Sequence, residues 1–376
     1  MSTFPPKKCG IATFTQDLTM AMDKKFNPKI KSKILAMDRN STSFPNYPDN
    51  VIFQINRDNI QEYSNIAKKI NEDDGIKLVN IQHEFGIFGG EQGKNITHFV
   101  ENLNKPLGIT FHSVSPNPDD ERKEIVRSIS KKASFLIVMN KFATEILRKD
   151  YGVDTDIAVI PHGVHPVEFD TRKKENIDSD YNDKITLLSF GFIRKGKGYE
   201  YIIEALPEVI KRFPKLSYLI IGGIHPNDKN GKGENYKNFL EQKAKDLHLQ
   251  NHVKIRDKYL NLSEVINYIK AADIYIAPQL NPNQITSGTI SYAMGCGKVV
   301  ISTPTLHAKE MITPERGLLT KFRNSKSFSD AIIKILSNPS LKAAMEKNSY
   351  AFTRNMTWPS VAKSHMDLFN KYVEFS

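Results

Sequence analysis

The chain has 376 residues, more than one domain usually holds, and its 39% hydrophobic content describes a well-cored globular protein with no apolar run long enough to span a bilayer. Its 53 Lys and Arg against 42 Asp and Glu give +11, partly through Lys24, Lys25, Lys29, Lys31 and Lys33. That excess suits a phosphorylated ligand or an anionic membrane surface, whereas the absence of basic–aromatic interleaving argues against nucleic acid. The two cysteines, Cys9 and Cys296, form neither a disulfide framework nor a zinc pattern, and no signal-peptide segment follows Met1, so a reducing cytoplasm is expected.

Along the chain, Gly10 in Lys8-Cys9-Gly10-Ile11 reads as a strand-to-helix turn. Only nine residues precede it, so a short first strand, or one truncated by a late-assigned start, is expected. Buried strands follow at Ile34–Met37, Val51–Phe53, Leu78–Ile81, Leu107–Phe111, Phe135–Val138 and Ile157–Ile160. Helix-length segments such as Ile60–Asn71 and Glu121–Lys132 separate several of them, which predicts a mostly parallel, doubly wound sheet. The polar stretch after His165 reads as a linker, and the alternation then restarts at Ile185–Phe190, Tyr218–Ile221, Val253–Ile255, Ile274–Ala277 and Val299–Ile301. The expected organisation is therefore 1–168, a linker at 169–183, a second domain at 184–355 and a tail helix at 356–376 that packs back on the first domain. Two Rossmann-like halves of this kind bind ligands in a cleft between them.

Two segments of the second half carry anion chemistry. The stretch from Asn283 to Thr303 runs from a polar cluster (Thr286, Ser287, Gly288, Thr289) into a short helix, a Gly stop and a buried strand. A helix start exposes unpaired N–H groups and the positive end of the helix dipole, although Ser and Thr there also serve as ordinary caps. The second segment, Gly191 to Gly198, places Arg194, Lys195 and Lys197 among three glycines after a strand and before the helical run Tyr199–Leu206. Together the two segments can hold one diphosphate from two sides. The loop pairs Asp119-Asp120 and Asp73-Asp74 read as solvated acids, and the scattered His83, His112 and His162 do not make a metal triad.

These segments resemble the retaining, nucleotide-sugar-dependent family 4 (group 1) glycosyltransferases, over nearly the whole length. Lys8-Cys9-Gly10-Ile11-Ala12 resembles their Gly-rich N-terminal turn, Thr110-Phe111-His112 their Thr-x-His, and Ile160-Pro161-His162-Gly163-Val164 their Ile-Pro-Asn-Gly-Val turn. Gly191 to Gly198 resembles G-R-L-x-x-x-K-G, and Glu310 with Gly317 matches the downstream Glu and Gly. The chain departs from the family in the E-x7-E motif, whose two glutamates fall on Gln284 and Tyr292, and in the loop arginine, which falls on Phe192 with Arg194 close by.

The resemblance implies an α/β GT-B fold, two Rossmann-like doubly wound domains facing across a cleft. It also implies transfer of a sugar from a nucleoside diphosphate, GDP-mannose as the first choice, to a hydroxyl of a glycan, lipid-linked or small-molecule acceptor with retention. Lys197, Arg194 and His112 take the catalytic roles, and Gly10, Gln284, Ser287, Gly288, Thr289 and Tyr292 bind the donor. Gln284 would hydrogen-bond sugar hydroxyls, and Tyr292 would meet the ribose or pack under the base. Glu84, in His83-Glu84-Phe85-Gly86, faces the acceptor side. Neither a metal nor another cofactor is called for, because the departing phosphate itself can accept the proton while the protein stabilises its charge. Peripheral contact with the inner face of an anionic membrane stays open. The competing readings are a GT-B glycoside phosphorylase and a non-catalytic sugar-nucleotide sensor or scaffold.

Overall fold

The computed structural model describes residues 1–39, 46–169, 183–224 and 231–374. Most of the expected linker, 170–182, lies outside the described residues. The chain divides into two compact units: Met1–Gly163 with Trp358–Ser376, and Val164–Thr357.

In chain order the first unit contains α1 (Gly10–Phe26), β1 (Ile34–Asp38), β2 (Val51–Asn56), α2 (Ile60–Glu72), β3 (Val79–His83), α3 (Ile96–Asn102), β4 (Leu107–Phe111), α4 (Asp120–Lys132), β5 (Phe135–Val138), α5 (Lys141–Lys149) and β6 (Ile157–Val159). The strands are apolar runs, and the helices between them turn their apolar faces inward, as Tyr63, Ile66, Ala67 and Ile70 do on α2. β1 pairs with β2, and β3 to β6 pair in sequence, all in parallel. Between β1 and β3 the central place is held by Met1 and Ser2 alone. The Ser2 amide donates to the Leu35 carbonyl (3.0 Å) and the Ser2 carbonyl accepts from Met37, while the Gln82 amide donates to the Met1 carbonyl (3.0 Å). Beside this stub lies a cavity of about 270 Å³ lined by apolar residues such as Leu18, Ile34 and Met366 and by polar ones such as Thr15, Lys31 and Gln82.

The second unit contains β7 (Ile185–Phe190), α6 (Tyr199–Arg212), β8 (Leu216–Ile221), α7 (Lys232–Asp246), β9 (Val253–Arg256), α8 (Leu262–Ala271), β10 (Ile274–Ala277), α9 (Gly288–Gly295), β11 (Val300–Ser302), α10 (Leu306–Met311), β12 (Gly317–Leu319), α11 (Ser325–Leu336) and α12 (Pro339–Thr353). Its six strands pair in parallel in the order β12-β11-β10-β7-β8-β9. The order reverses between β7 and β10, and the crevice beyond the carboxyl ends of those two strands is where ligands bind in such sheets.

Three local expectations are corrected. α6 runs through Pro207 to Arg212 instead of stopping at Leu206, because its apolar stripe continues to Val209 against the sheet. β12 went unpredicted, being three residues on a sheet edge. Asp119 is not a free loop acid: its carboxylate accepts the Arg122 amide (2.8 Å) as the N-cap of α4.

The last helix, α13 (Trp358–Phe369), belongs to the first unit. Its Trp358, Val361, Met366 and Phe369 pack with Phe14 and Leu18 of α1 and with Phe135 and Ile137 of β5. Gly163 lies against the indole of Trp358, and a β-carbon there would overlap the ring.

Candidate functional site

In the second unit the two anion-binding segments meet at the reversal of strand order. The loop after β7 opens with Gly191 at φ +134°, a conformation that favours glycine. A β-carbon at Gly191 would stand 3.5 Å from Lys197 Nζ and 3.9 Å from Thr289 Cγ2, so the lysine tip, this turn and the start of α9 share one small space. The loop ends at Gly198 (φ +74°), whose missing side chain lets it lie against the Pro278 carbonyl. The Leu280 amide donates to the Gly196 carbonyl (3.0 Å), tying this loop to the segment that leads into α9.

The other wall is the helix start. Ser287 is the N-cap of α9, with its hydroxyl facing the Ile290 amide at 3.5 Å. The first-turn amides of Gly288 and Thr289 have no partner inside the helix. The buried hydroxyl of Thr286 makes no hydrogen bond, and a buried polar atom left unpaired at a helix N-terminus fits an oxyanion ligand. Burial, and next the charge of Arg194, bring the Lys197 ammonium down to about 8. Arg194 itself is exposed on the same loop. Among the described residues Lys197 forms no ion pair, so its ammonium, the first turn of α9 and the orphan Thr286 hydroxyl make a corner rich in hydrogen-bond donors.

Two residues expected on the donor side have partners within the chain. The Gln284 amide nitrogen donates to the Thr286 carbonyl (2.8 Å), so this side chain closes its own turn and keeps its oxygen and its second N–H for a ligand. Tyr292 is largely buried in α9. It is 9% exposed, and its ring lies 5.4 Å from that of His165, because α9 is buried on nearly every side.

In the first unit, Gly10 opens α1 after Cys9, whose sulfur accepts the Ala12 amide (3.3 Å), and a β-carbon at Gly10 would meet open space. His112 follows β4. Its Nε2 bonds Gln82 Oε1 (2.8 Å), and its ring is met edge-on by Phe14 at 4.7 Å. Burial, then the neighbouring His162 and His83, hold the imidazole down to about 3, so it stays neutral at physiological pH. With Nε2 donating to the Gln82 oxygen, Nδ1 is left as an acceptor suited to a hydroxyl.

His83 is a core residue: neither ring nitrogen has a partner, and Phe85, Phe88 and Phe111 surround it. Its neighbour Glu84 accepts from the Ser113 hydroxyl (2.7 Å) and the Phe85 amide (3.1 Å). Burial raises the Glu84 carboxyl above its usual range, opposed chiefly by the Ser113 bond. His162 turns its Nδ1 to the Gly163 carbonyl (2.8 Å) and shapes that turn.

Sequence reasoning named Thr286 only as part of a polar cluster and missed Arg122 and Gln92 of the first unit. The left-handed glycines Gly89, Gly90 and Gly93 around Gln92 were the available signal.

Residues 170–352, most of the second unit, match the family model described as glycosyl transferases group 1. Among curated proteins, an uncharacterized glycosyltransferase of Methanocaldococcus jannaschii is 26% identical over 254 residues, 67% of this chain and 62% of that protein. A GDP-mannose-dependent monoacylated alpha-(1-6)-phosphatidylinositol monomannoside mannosyltransferase of Corynebacterium glutamicum is 26% identical over 59% of this chain and 58% of its own length. The chain thus spans about three fifths of the length of these relatives. Among solved structures, a glycosyltransferase from Rickettsia africae superposes with a TM-score of 0.75 at 18% identity, covering 98% of this chain and 97% of that one. Sucrose-phosphate synthase from Thermosynechococcus elongatus gives 0.73 at 17% identity, covering 96% and 92%. The fold is GT-B.

Proposed function

We propose that the chain is a glycosyltransferase that moves a sugar from a nucleoside diphosphate to an acceptor hydroxyl with retention. The observation that carries this reading is the convergence of Lys197, Gly191 and Thr289 beside the orphan hydroxyl of Thr286 at the reversal of strand order. The diphosphate sits on the Gly288 and Thr289 amides with Lys197 and Arg194 against its oxygens. As the bond to the sugar breaks, these groups stabilise the charge that gathers on the leaving phosphate, which takes the proton from the incoming hydroxyl. The protein supplies that charge itself, without a metal. In the second unit the Gln284 side chain hydrogen-bonds a donor-sugar hydroxyl. Within the first unit neutral His112 offers Nδ1 as an acceptor for a sugar hydroxyl, Gly10 leaves open space at the start of α1, and Glu84 holds the acceptor hydroxyl.

GDP-mannose is the preferred donor, supported by the name of the Corynebacterium relative. The UDP bound in the Anabaena HepE structure, TM-score 0.66 at 16% identity, keeps UDP-sugars in the test. The acceptor is a glycan, a lipid-linked or a small-molecule hydroxyl. Unpaired Cys9 and Cys296 favour a reducing cytoplasm. Among the described residues no helix is long and apolar enough to cross a membrane.

Calorimetry with GDP and UDP on the native chain and on Lys197→Ala tests the clamp, and release of GDP or UDP from the matching sugar donors tests turnover. Loss of nucleotide binding in the variant is expected; equal binding by both proteins would remove the assignment. The tied-up Gln284 amide and buried Tyr292 favour one second reading, a non-catalytic sugar-nucleotide sensor. Binding without turnover across diverse acceptors would select it.

A further inference from the structure

At the carboxyl ends of β3 and β4 stands an arginine that the proposed reaction does not yet use. Arg122, in the first turn of α4, lays its guanidinium over the Phe85 ring at 4.6 Å. Its Nη2 donates to Gln92 Oε1 (2.8 Å), while its Nε is buried without a hydrogen-bond partner. No carboxylate lies within ion-pair distance of Arg122 among the described residues, and Glu84 acts on it only through a longer electrostatic interaction.

The amide that holds Arg122 is set at some conformational cost. Gln92 has φ +49° between Gly90 at +65° and Gly93 at +80°. A β-carbon at Gly90 would crowd the Asn95 side chain, and one at Gly93 would crowd the Phe85 carbonyl. A left-handed non-glycine residue persists only where its surroundings over-determine it. The turn therefore aims a neutral group at the guanidinium, where an acid would have neutralised it. The cation is stacked, oriented and left with donors to spare, which is how a planar guanidinium receives a phosphate or carboxylate.

We propose that Arg122, oriented by Phe85 and Gln92, binds an oxyanion carried by the acceptor, so that the acceptor of the transfer is a phosphorylated or carboxylated alcohol. The inference rests on the glycosyltransferase reading and deepens it. Arg122 fixes the acceptor's anionic group while Glu84, bonded to Ser113, takes the hydroxyl beside it. No covalent step is added.

The test uses the full chain with its clamp filled by saturating nucleoside diphosphate. Glucose 6-phosphate, glucuronate and glucose serve as soluble probes, and phosphatidylinositol against phosphatidylcholine vesicles as lipid probes. At least one anionic probe is expected to bind at least about tenfold more tightly than its neutral counterpart, and Arg122→Gln to abolish that preference. Arg122→Lys, which keeps the charge and loses the fork, is expected to retain part of it, and Gln92→Ala to weaken it less than Arg122→Gln. Preference among soluble probes identifies a free phosphate or carboxylate; preference only among vesicles identifies a lipid headgroup; either supports the site. Equal binding of anionic and neutral probes, or a preference that survives Arg122→Gln, overturns it. The nucleoside diphosphate titration is read separately, so failure of the clamp and failure of Arg122 are distinguishable. If Arg122→Gln does not fold by circular dichroism, the Lys and Ala variants decide.

Discussion

The two units use the same alternation of strand and helix but build polarity differently. In the second unit the proposed anion site draws chiefly on backbone: left-handed glycines and a helix start, with one lysine from a short loop. In the first unit the polar groups come from distant segments, so that Arg122 meets Phe85 and Gln92, and His112 meets Gln82, across about thirty residues of sequence. The first kind of site is written in consecutive residues, whereas the second exists only after the sheet has formed.

The comparison is broken most decisively at Lys197. Lys197→Ala is expected to cost about 3 kcal/mol of transition-state stabilisation, on the order of a hundredfold in kcat, with the fold retained. An unchanged kcat would show that the second unit's site is not the diphosphate clamp.

A packing counterpart lies in the first unit. Gly163→Ala forces a β-carbon into the Trp358 indole and is expected to destabilise that unit by about 1–3 kcal/mol, while nucleotide binding in the other unit persists. Denaturant unfolding followed by Trp358, the only tryptophan, measures it. A midpoint equal to that of the native protein would contradict the close packing.

The pH dependence sharpens the contrast further. Lys197 titrates near 8, so nucleoside diphosphate affinity is expected to fall by up to tenfold per unit above that pH, about 1.4 kcal/mol. The sign for stability is opposite. The folded state penalises the charged lysine, so its contribution to folding improves as pH rises from about 8 toward the ordinary lysine value. Lys197→Arg should flatten the binding profile. His112, held near 3, should give no titration between pH 5 and 8 by NMR.

The smallest effect concerns Gln284. Gln284→Glu sets a carboxylate against the Thr286 carbonyl in place of a hydrogen bond, so donor affinity is expected to fall by about 1 kcal/mol. A gain in affinity by calorimetry would show that the bond from Gln284 to the Thr286 carbonyl does not set the donor site.

Legibility followed the same division. The expected strands of both halves lie on observed ones with ends moved by at most three residues, because each is a short apolar run in a parallel sheet. The proximity of the Gly191–Gly198 loop to the start of α9 was also readable, since the loop directly follows β7 and α9 follows the neighbouring strand β10 after one connecting segment. The fate of Tyr292 was not: an eight-residue helix buried on nearly every side has no polar face to betray which positions stay open. Nor was the use of Gln284, because a side chain that closes its own turn looks in sequence like one that faces solvent. Arg122 passed as one basic residue among many. Its meaning depends on a neutral partner thirty positions away.

The placement of α13 bears on the order in which the protein takes shape at the ribosome. The second unit, Val164–Thr357, is complete once Thr357 has emerged, whereas the first-emerging unit still lacks Trp358, Val361, Met366 and Phe369. Until those residues arrive, Phe14, Leu18, Phe135 and Ile137 lack the α13 side chains that complete their cluster. The part synthesised first is thus the part finished last, and for the length of one domain's synthesis its apolar face is the segment most in need of a chaperone.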